Sequence, residues 1–227
     1  MYAVALISLG VLMLSTPDDA FSQGTPADAS PKTLAVVVAH ADDEGRVAPI
    51  LARYARQEVQ VYLIVVTDGV AGAGRQGQIP RPDATVQGED LVRQRAKEAR
   101  CATQALGIHP PILLGFPDGK LGDYAGDRAL IYRVTQRIAE ELARLRPDAV
   151  VTWGPDGGTG HPDHRIVSNV VTQLQRARAP GVPERVLYMN VPVESMRAMN
   201  PQRGEPPLVV PQSRHFTVRI PLAAEDL

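Results

Sequence analysis

Leu34-Ala35-Val36-Val37-Val38-Ala39-His40-Ala41-Asp42-Asp43-Glu44 runs from an unbroken apolar segment straight into a histidine and three acids. Apolar residues in a row, with no polar alternation, read as a strand buried on both faces, the pattern of a parallel sheet in an α/β protein. The histidine and acids therefore sit where a buried strand ends, which is where open α/β sheets form ligand sites. His40 and Asp43 are spaced so that both turn toward one point as the chain enters a helix, and Asp42 can approach the same point from beside them. Much later, Gly160-His161-Pro162-Asp163-His164 supplies two more histidines one helical turn apart. Two imidazole nitrogens and one carboxylate oxygen converging on a cation, with positions left for water, describe a catalytic zinc site.

Around these clusters, strand and helix patterns alternate. Residues 44–56 read as a helix, 59–67 as a second strand ended by Asp68-Gly69, 89–106 as a helix stopped by Gly107, and 111–114 as a short strand. Phe116-Pro117-Asp118-Gly119 is a turn, 127–145 a third helix and 149–152 a fourth strand. The second histidine cluster opens the next helix, with Pro162 where a first-turn proline is tolerated. Segments 186–191 and 216–220 read as further strands. This alternation predicts a three-layer, Rossmann-like α/β domain with a mainly parallel sheet. In it His40, Asp68, Asp118 and His161 lie just past strand ends and share one rim.

A length of 227 residues with 44% hydrophobic content suits one domain with a real core. A net charge of −1 gives no broad electrostatic reason to expect nucleic acid or an anionic membrane as partner. The apolar stretch Ala3–Leu14 is too short to span a bilayer and suits a signal-peptide core, with Ala20-Phe21-Ser22 offering small residues for cleavage before Gln23. The expectation is therefore residues 1–22 as signal peptide, 23–31 as flexible spacer and 32–227 as one domain, exported to periplasm or medium, with no membrane span left after cleavage. If the stretch is not a signal, it is a buried first helix or strand and the chain is cytoplasmic. The single Cys101 excludes an internal disulfide and, lying on a helical pattern, reads as an inert core residue.

The long Gly- and Pro-rich stretch between Asp68 and Gly88 holds Gly72-Ala73-Gly74-Arg75-Gln76-Gly77, which matches the dinucleotide fingerprint. That fingerprint needs a helix to start there and present its N-terminus to a pyrophosphate. Gln78-Ile79-Pro80-Arg81-Pro82 cannot continue a helix, so a flexible lid over the metal site is the better reading.

At its two histidine clusters the chain resembles the PIG-L/LmbE-like zinc-dependent N-deacetylases, which remove acetyl groups from N-acetylglucosaminyl compounds. Their first motif usually reads Ala-His-Pro-Asp-Asp-Glu, matched here by Ala39–Glu44 with Ala41 in place of proline, and their last reads His-Pro-Asp-His, matched by His161–His164. The resemblance runs from about Lys32 to the Val191 region. It implies His40, Asp43 and His164 as zinc ligands, although a histidine/carboxylate site also accepts iron or another divalent metal. It implies Asp42 as general base, where the residues alone leave Asp42 and Asp43 interchangeable between ligand, base and helix cap. His161 is implied to stabilise the oxyanion when protonated and then to protonate the leaving amine. Arg95, in an Arg-x-x-Glu pair with Glu98, and Asp118 in its Phe-Pro-Asp-Gly turn are implied to face substrate. Asp163 is either an orienting partner for a neighbouring histidine or a solvated helix start. The family pattern also leads us to expect a further helix beyond Glu225-Asp226-Leu227.

The implied function is zinc-dependent hydrolysis of an N-acetylglucosamine-type amino sugar or glycoconjugate, with release of acetate. A two-metal phosphoesterase would need more ligands than these clusters offer. An exported sugar-binding protein of the same fold, without catalysis, is the rival from another class; it predicts ligand binding insensitive to chelator and to Asp42→Ala.

Overall fold

The structure, a computed structural model, describes residues 31–72, 86–123, 126–199 and 212–226. The expected signal peptide, most of the spacer and residues 73–85 of the expected lid stretch lie outside the described residues.

Five strands form one parallel sheet: β1 (Thr33–Val38), β2 (Gln60–Thr67), β3 (Ile112–Phe116), β4 (Ala149–Trp153) and β5 (Val186–Met189), in the order β3-β2-β1-β4-β5. β1 is central, pairing Val36 with Leu63 on one side and with Val151 on the other. Successive strand side chains point to opposite faces, so β1 seeds two cores. Ala35, Val37 and Ala39 join Ile64, Val66, Val134, Ile138, Val167 and Val171 under α3 (Arg128–Leu145) and α4 (Pro162–Arg176). Leu34, Val36 and Val38 join Leu51, Leu63, Val65 and Trp153 on the face covered by α1 (Ala48–Arg56), against which α2 (Gly88–Leu106) packs. The result is the three-layer α/β architecture that an all-parallel sheet requires.

Because all the strands run parallel, the β1–α1, β2–α2, β3–α3 and β4–α4 turns lie on one rim, and the strand order winds outward in both directions from β1. Thr67 and Thr152 lock that rim internally: Thr67 donates both its backbone N–H and its hydroxyl to Ala39 O, and the Thr152 hydroxyl donates to Val37 O at 2.9 Å. The short α5 (Val193–Met199) follows β5, and Asp226 near the C-terminus is buried against α1 by Arg53 and Arg56.

The structure departs from the sequence reading in three places. Residues 44–56 are not one helix: a single 3-10 turn, Asp43–Arg46, precedes α1, whose Pro49 sits in its first turn. Residues 216–220 are not a strand but irregular chain after a 3-10 turn at Ser213–His215, so their apolar alternation does not enter the sheet. Cys101 is exposed rather than in the core. The buried side of α2 is Leu91, Arg95, Ala99 and Thr103. At 100° per residue, Cys101 is turned about 200° from Ala99.

Candidate metal centre

Asp43 is the best-anchored acid on the rim. Its Oδ2 accepts hydrogen bonds from the backbone N–H of Ala39 (3.1 Å) and of His40 (3.0 Å) and from the indole N–H of Trp153 (3.0 Å). With Oδ2 so filled, Oδ1 faces His164 Nε2 at 3.2 Å. Burial alone would raise the Asp43 pKa; the His164 and His40 partners outweigh it and hold the group below the usual carboxylate range.

His164, in the first turn of α4, lies 2.9 Å through Nδ1 from Gly157 O, with Thr159 Oγ1 at 3.2 Å. A carbonyl only accepts, so Nδ1 carries the proton and Nε2 turns a lone pair into the site. That lone pair meets His40 Nδ1 at 3.0 Å. His40 in turn points Nε2 at two carboxylates, Asp118 Oδ1 at 3.0 Å and Asp163 Oδ2 at 3.4 Å, so this nitrogen also carries a proton. Two imidazole lone pairs and a carboxylate oxygen thus face one another, and only a positive charge reconciles them. His164 Nε2 lies 3.0 Å from His40 Nδ1 and 3.2 Å from Asp43 Oδ1, close to the roughly 3.3 Å edge of a tetrahedron with metal–nitrogen bonds of about 2.0–2.1 Å. His40 Nδ1 comes nearest to Asp43 at Oδ2, 3.7 Å away. The donor set fits a divalent cation. Without one, a proton does the same duty: burial opposes charge on His40, but Asp118, Asp163 and Asp43 overcome it and push its pKa up to about 10.

The two outer carboxylates are more than solvated acids. Asp163, fully buried, also accepts the Gly119 N–H (2.7 Å) and the Leu121 N–H (3.0 Å), tying the start of α4 to the β3–α3 turn. Asp118, expected at the substrate, has both oxygens engaged inward, Oδ1 on His40 and Oδ2 on the Ala71 N–H at 3.0 Å. Burial would raise its pKa, and the His40 contact outweighs that and lowers it. These two residues set the tautomer and the tilt of His40, the outer-shell role that carboxylates play for metal-bound imidazoles.

His161 caps α4, its Nδ1 accepting the Asp163 N–H at 3.2 Å, which leaves the neutral ring's proton on Nε2. Its ring centroid lies 4.7 Å from that of His40 and 5.0 Å from that of His164. Burial, with the charge of both histidines, lowers its pKa, so the neutral donor form is favoured. Asp42 is exposed on the rim between His40 and Asp43, in a left-handed turn with φ 108°, and its N–H donates to the buried Glu44 Oε2 at 3.0 Å. Arg95 stands off from this cluster. Its stem packs beneath Gly69, its guanidinium lies beside Gly72, and Nη1 donates to Glu98 Oε2 at 2.6 Å. A cavity of about 400 Å³ opens beside Asp118 between Val70–Ala71, Gln87–Gly88 and Lys120, a size within the range of small-molecule sites.

Sequence reasoning passed over Trp153. Besides its bond to Asp43, its ring stacks on His164 with centroids 4.4 Å apart and planes 5° from parallel. The available signal was the chain's one tryptophan standing at the end of a buried strand on the same rim. The Gly157-Gly158 pair lets the next loop close over it: both have positive φ, and a Cβ on Gly158 would fall 2.4 Å from the indole.

Comparison with known proteins agrees with this architecture. The family model for GlcNAc-PI de-N-acetylase, PIG-L, matches residues 35–175. A 1D-myo-inositol 2-acetamido-2-deoxy-alpha-D-glucopyranoside deacetylase 2 of Catenulispora acidiphila is 35% identical over 59% of this chain and 48% of its own length. The corresponding deacetylase of Kineococcus radiotolerans is 33% identical over 66% of this chain and 47% of its own. The chain thus spans about half the length of these relatives. Among solved structures, the N,N'-diacetylchitobiose deacetylase of Pyrococcus horikoshii superposes with a TM-score of 0.55 at 19% identity, over 74% of this chain and 66% of that one, which shows a shared fold. With the model covering well over half of its residues, the chain belongs to the PIG-L family of GlcNAc-PI de-N-acetylases.

Proposed function

We propose that the protein hydrolyses the acetamide of an N-acetylglucosamine-type sugar, releasing acetate and a free amine. The observation that carries this is that His40 Nδ1 and Asp43 Oδ1 both face His164 Nε2 at an open rim, with an exposed acid and a histidine N–H beside them. A divalent cation held there, zinc by the chemistry of the donors, supplies the Lewis acidity that polarises the acetyl carbonyl and lowers the pKa of water. Asp42 takes a proton from the attacking water and returns it to the leaving nitrogen as the C–N bond breaks. His161, neutral, keeps its Nε2 proton and donates a hydrogen bond to the carbonyl oxygen as negative charge gathers there. Asp118 and Asp163 keep His40 in the tautomer that offers Nδ1. The cavity between Ala71 and Lys120 is the place for the sugar or its substituent, and Arg95, buried against Gly69 and Gly72, supports the turn beside that cavity.

The inositol-linked substrate in the relatives' names makes an N-acetylglucosaminyl inositol the first compound to assay, beside N-acetylglucosamine itself. Acetate release that is abolished by chelator and restored by zinc, with about one metal per chain lost in His164→Ala, is the expected result. Binding of these sugars unaffected by chelator, with no acetate formed, would instead mark a sugar-binding protein. Export to the periplasm or medium is part of the same reading and rests on the apolar stretch Ala3–Leu14; N-terminal sequencing of the protein from culture tests it, with Gln23 as the expected first residue.

A further inference from the structure

Trp153 is 1% exposed, at the end of the strand beside β1. A buried indole needs an acceptor for its N–H, and many backbone carbonyls would serve. Here the acceptor is a carboxylate oxygen of Asp43 that already receives two backbone N–H groups, while the face of the same ring lies flat on His164. One side chain thus touches two of the three residues that carry the candidate donor atoms.

We propose that Trp153 is a positioning residue of the metal centre: its indole N–H reserves Asp43 Oδ2, leaving Oδ1 to the cation, and its ring face fixes the tilt of the His164 imidazole. The proposal rests on the metal reading given above. Three donors to Oδ2 fill the directions in which that oxygen can accept, so the carboxylate is held to one-oxygen ligation and cannot swing to two. Removing only the indole donor frees the carboxylate to rotate, and the cation then binds a less ordered set of ligands. Partners of this kind typically change metal affinity by roughly 10- to 100-fold when lost. The loop over the ring serves the same end, because a glycine at 158 is what allows the backbone to lie against the indole.

The test compares zinc affinity, by chelator competition on the full chain, in the native protein, Trp153→Phe and Leu63→Ala. Phenylalanine keeps a stacking face and removes the N–H. Leu63 is fully buried in the same apolar cluster, in register with Val36, four residues before His40. The expected result is a roughly 10- to 100-fold loss for Trp153→Phe and an unchanged affinity for Leu63→Ala, although both lose stability. A folded Trp153→Phe that binds zinc as tightly as the native chain overturns the proposal while leaving the metal reading intact. A native chain that binds no zinc overturns both. Because the chain has one tryptophan, its indole N–H gives a single resonance in an ¹H–¹⁵N spectrum, which decides the matter should Trp153→Phe not fold. That resonance should move to a new position as one equivalent of zinc is added, and a resonance that stays in place in the zinc-loaded chain counts against the role.

Discussion

At Asp42 the backbone takes a left-handed turn that L residues other than asparagine and aspartate rarely accept. Asp42→Asn therefore keeps the turn while removing the proton acceptor. Acetate release should fall by roughly 100- to 10,000-fold, the usual worth of a positioned base, with zinc content unchanged; a variant that loses zinc instead would exchange the roles of Asp42 and Asp43. His40 gives a second prediction, for the metal-free chain. Its pKa is raised in the folded state, from 6.5 to about 10, so its contribution to stability is fully present below 6.5 and is lost as pH rises toward 10. Asp43 and Asp118 are shifted down from 3.8, so theirs is present above that value and lost as pH falls through the depressed range. Thermal melting with chelator present should thus be highest between about pH 4 and 6.5 and decline on the alkaline side. His40→Ala should flatten that alkaline decline. The converging histidines and acid were legible because each motif is local, a few residues at a strand end. The inward turn of Asp118 and the position of Trp153 were not, because both acquire their partners only when β3, β2, β1 and β4 line up side by side.

Among the elements, the start of α4 does the most to organise the rim. His161 caps it through a side-chain nitrogen, Pro162 fills the first position, and Asp163 reaches away from its own helix to hold Gly119 and Leu121. Asp163→Ala would leave two N–H groups without their acceptor; the exposed Gly119 can turn to water, but the buried Leu121 N–H would cost roughly 1–3 kcal/mol. For a chain of this size that is a fall in melting temperature of about 2–4 °C per kcal/mol. Asp163→Asn, which keeps one acceptor oxygen, should recover part of the loss. An Asp163→Ala variant that melts with the native chain would show that the turn is held from elsewhere. Elements whose apolar run continued through the sheet, such as β1 and β2, could be read directly. Residues 216–220 alternate like a strand, yet pairing needs a free sheet edge in reach, and such long-range geometry has no local signature. Cys101 shows the same limit on a helix: helical rhythm was plain, but the phase of the buried side followed from Leu91, Arg95, Ala99 and Thr103, with a buried arginine among them.

Across the whole molecule, the proposed metal centre joins segments that are far apart in sequence. His40 and Asp43 come from the end of β1 and the turn after it, His164 from α4 beyond β4, and the histidines that face each other are 124 positions apart. In the unfolded chain these donors are not gathered, so a cation that binds them favours the folded state by mass action. With free zinc at 1,000 times its dissociation constant, the gain is about 4 kcal/mol. At roughly 2–4 °C per kcal/mol for a chain of this length, zinc should raise the melting temperature by roughly 8–16 °C, and chelator should reverse the rise. His164→Ala should melt at one temperature with or without zinc. Asp42→Asn should keep the full shift, because Asp42, as the proposed base, takes no part in gathering the donors. A zinc-dependent shift that survives in His164→Ala would place the bound ion at another set of residues, and the triad of His40, Asp43 and His164 would then lose its claim to the metal.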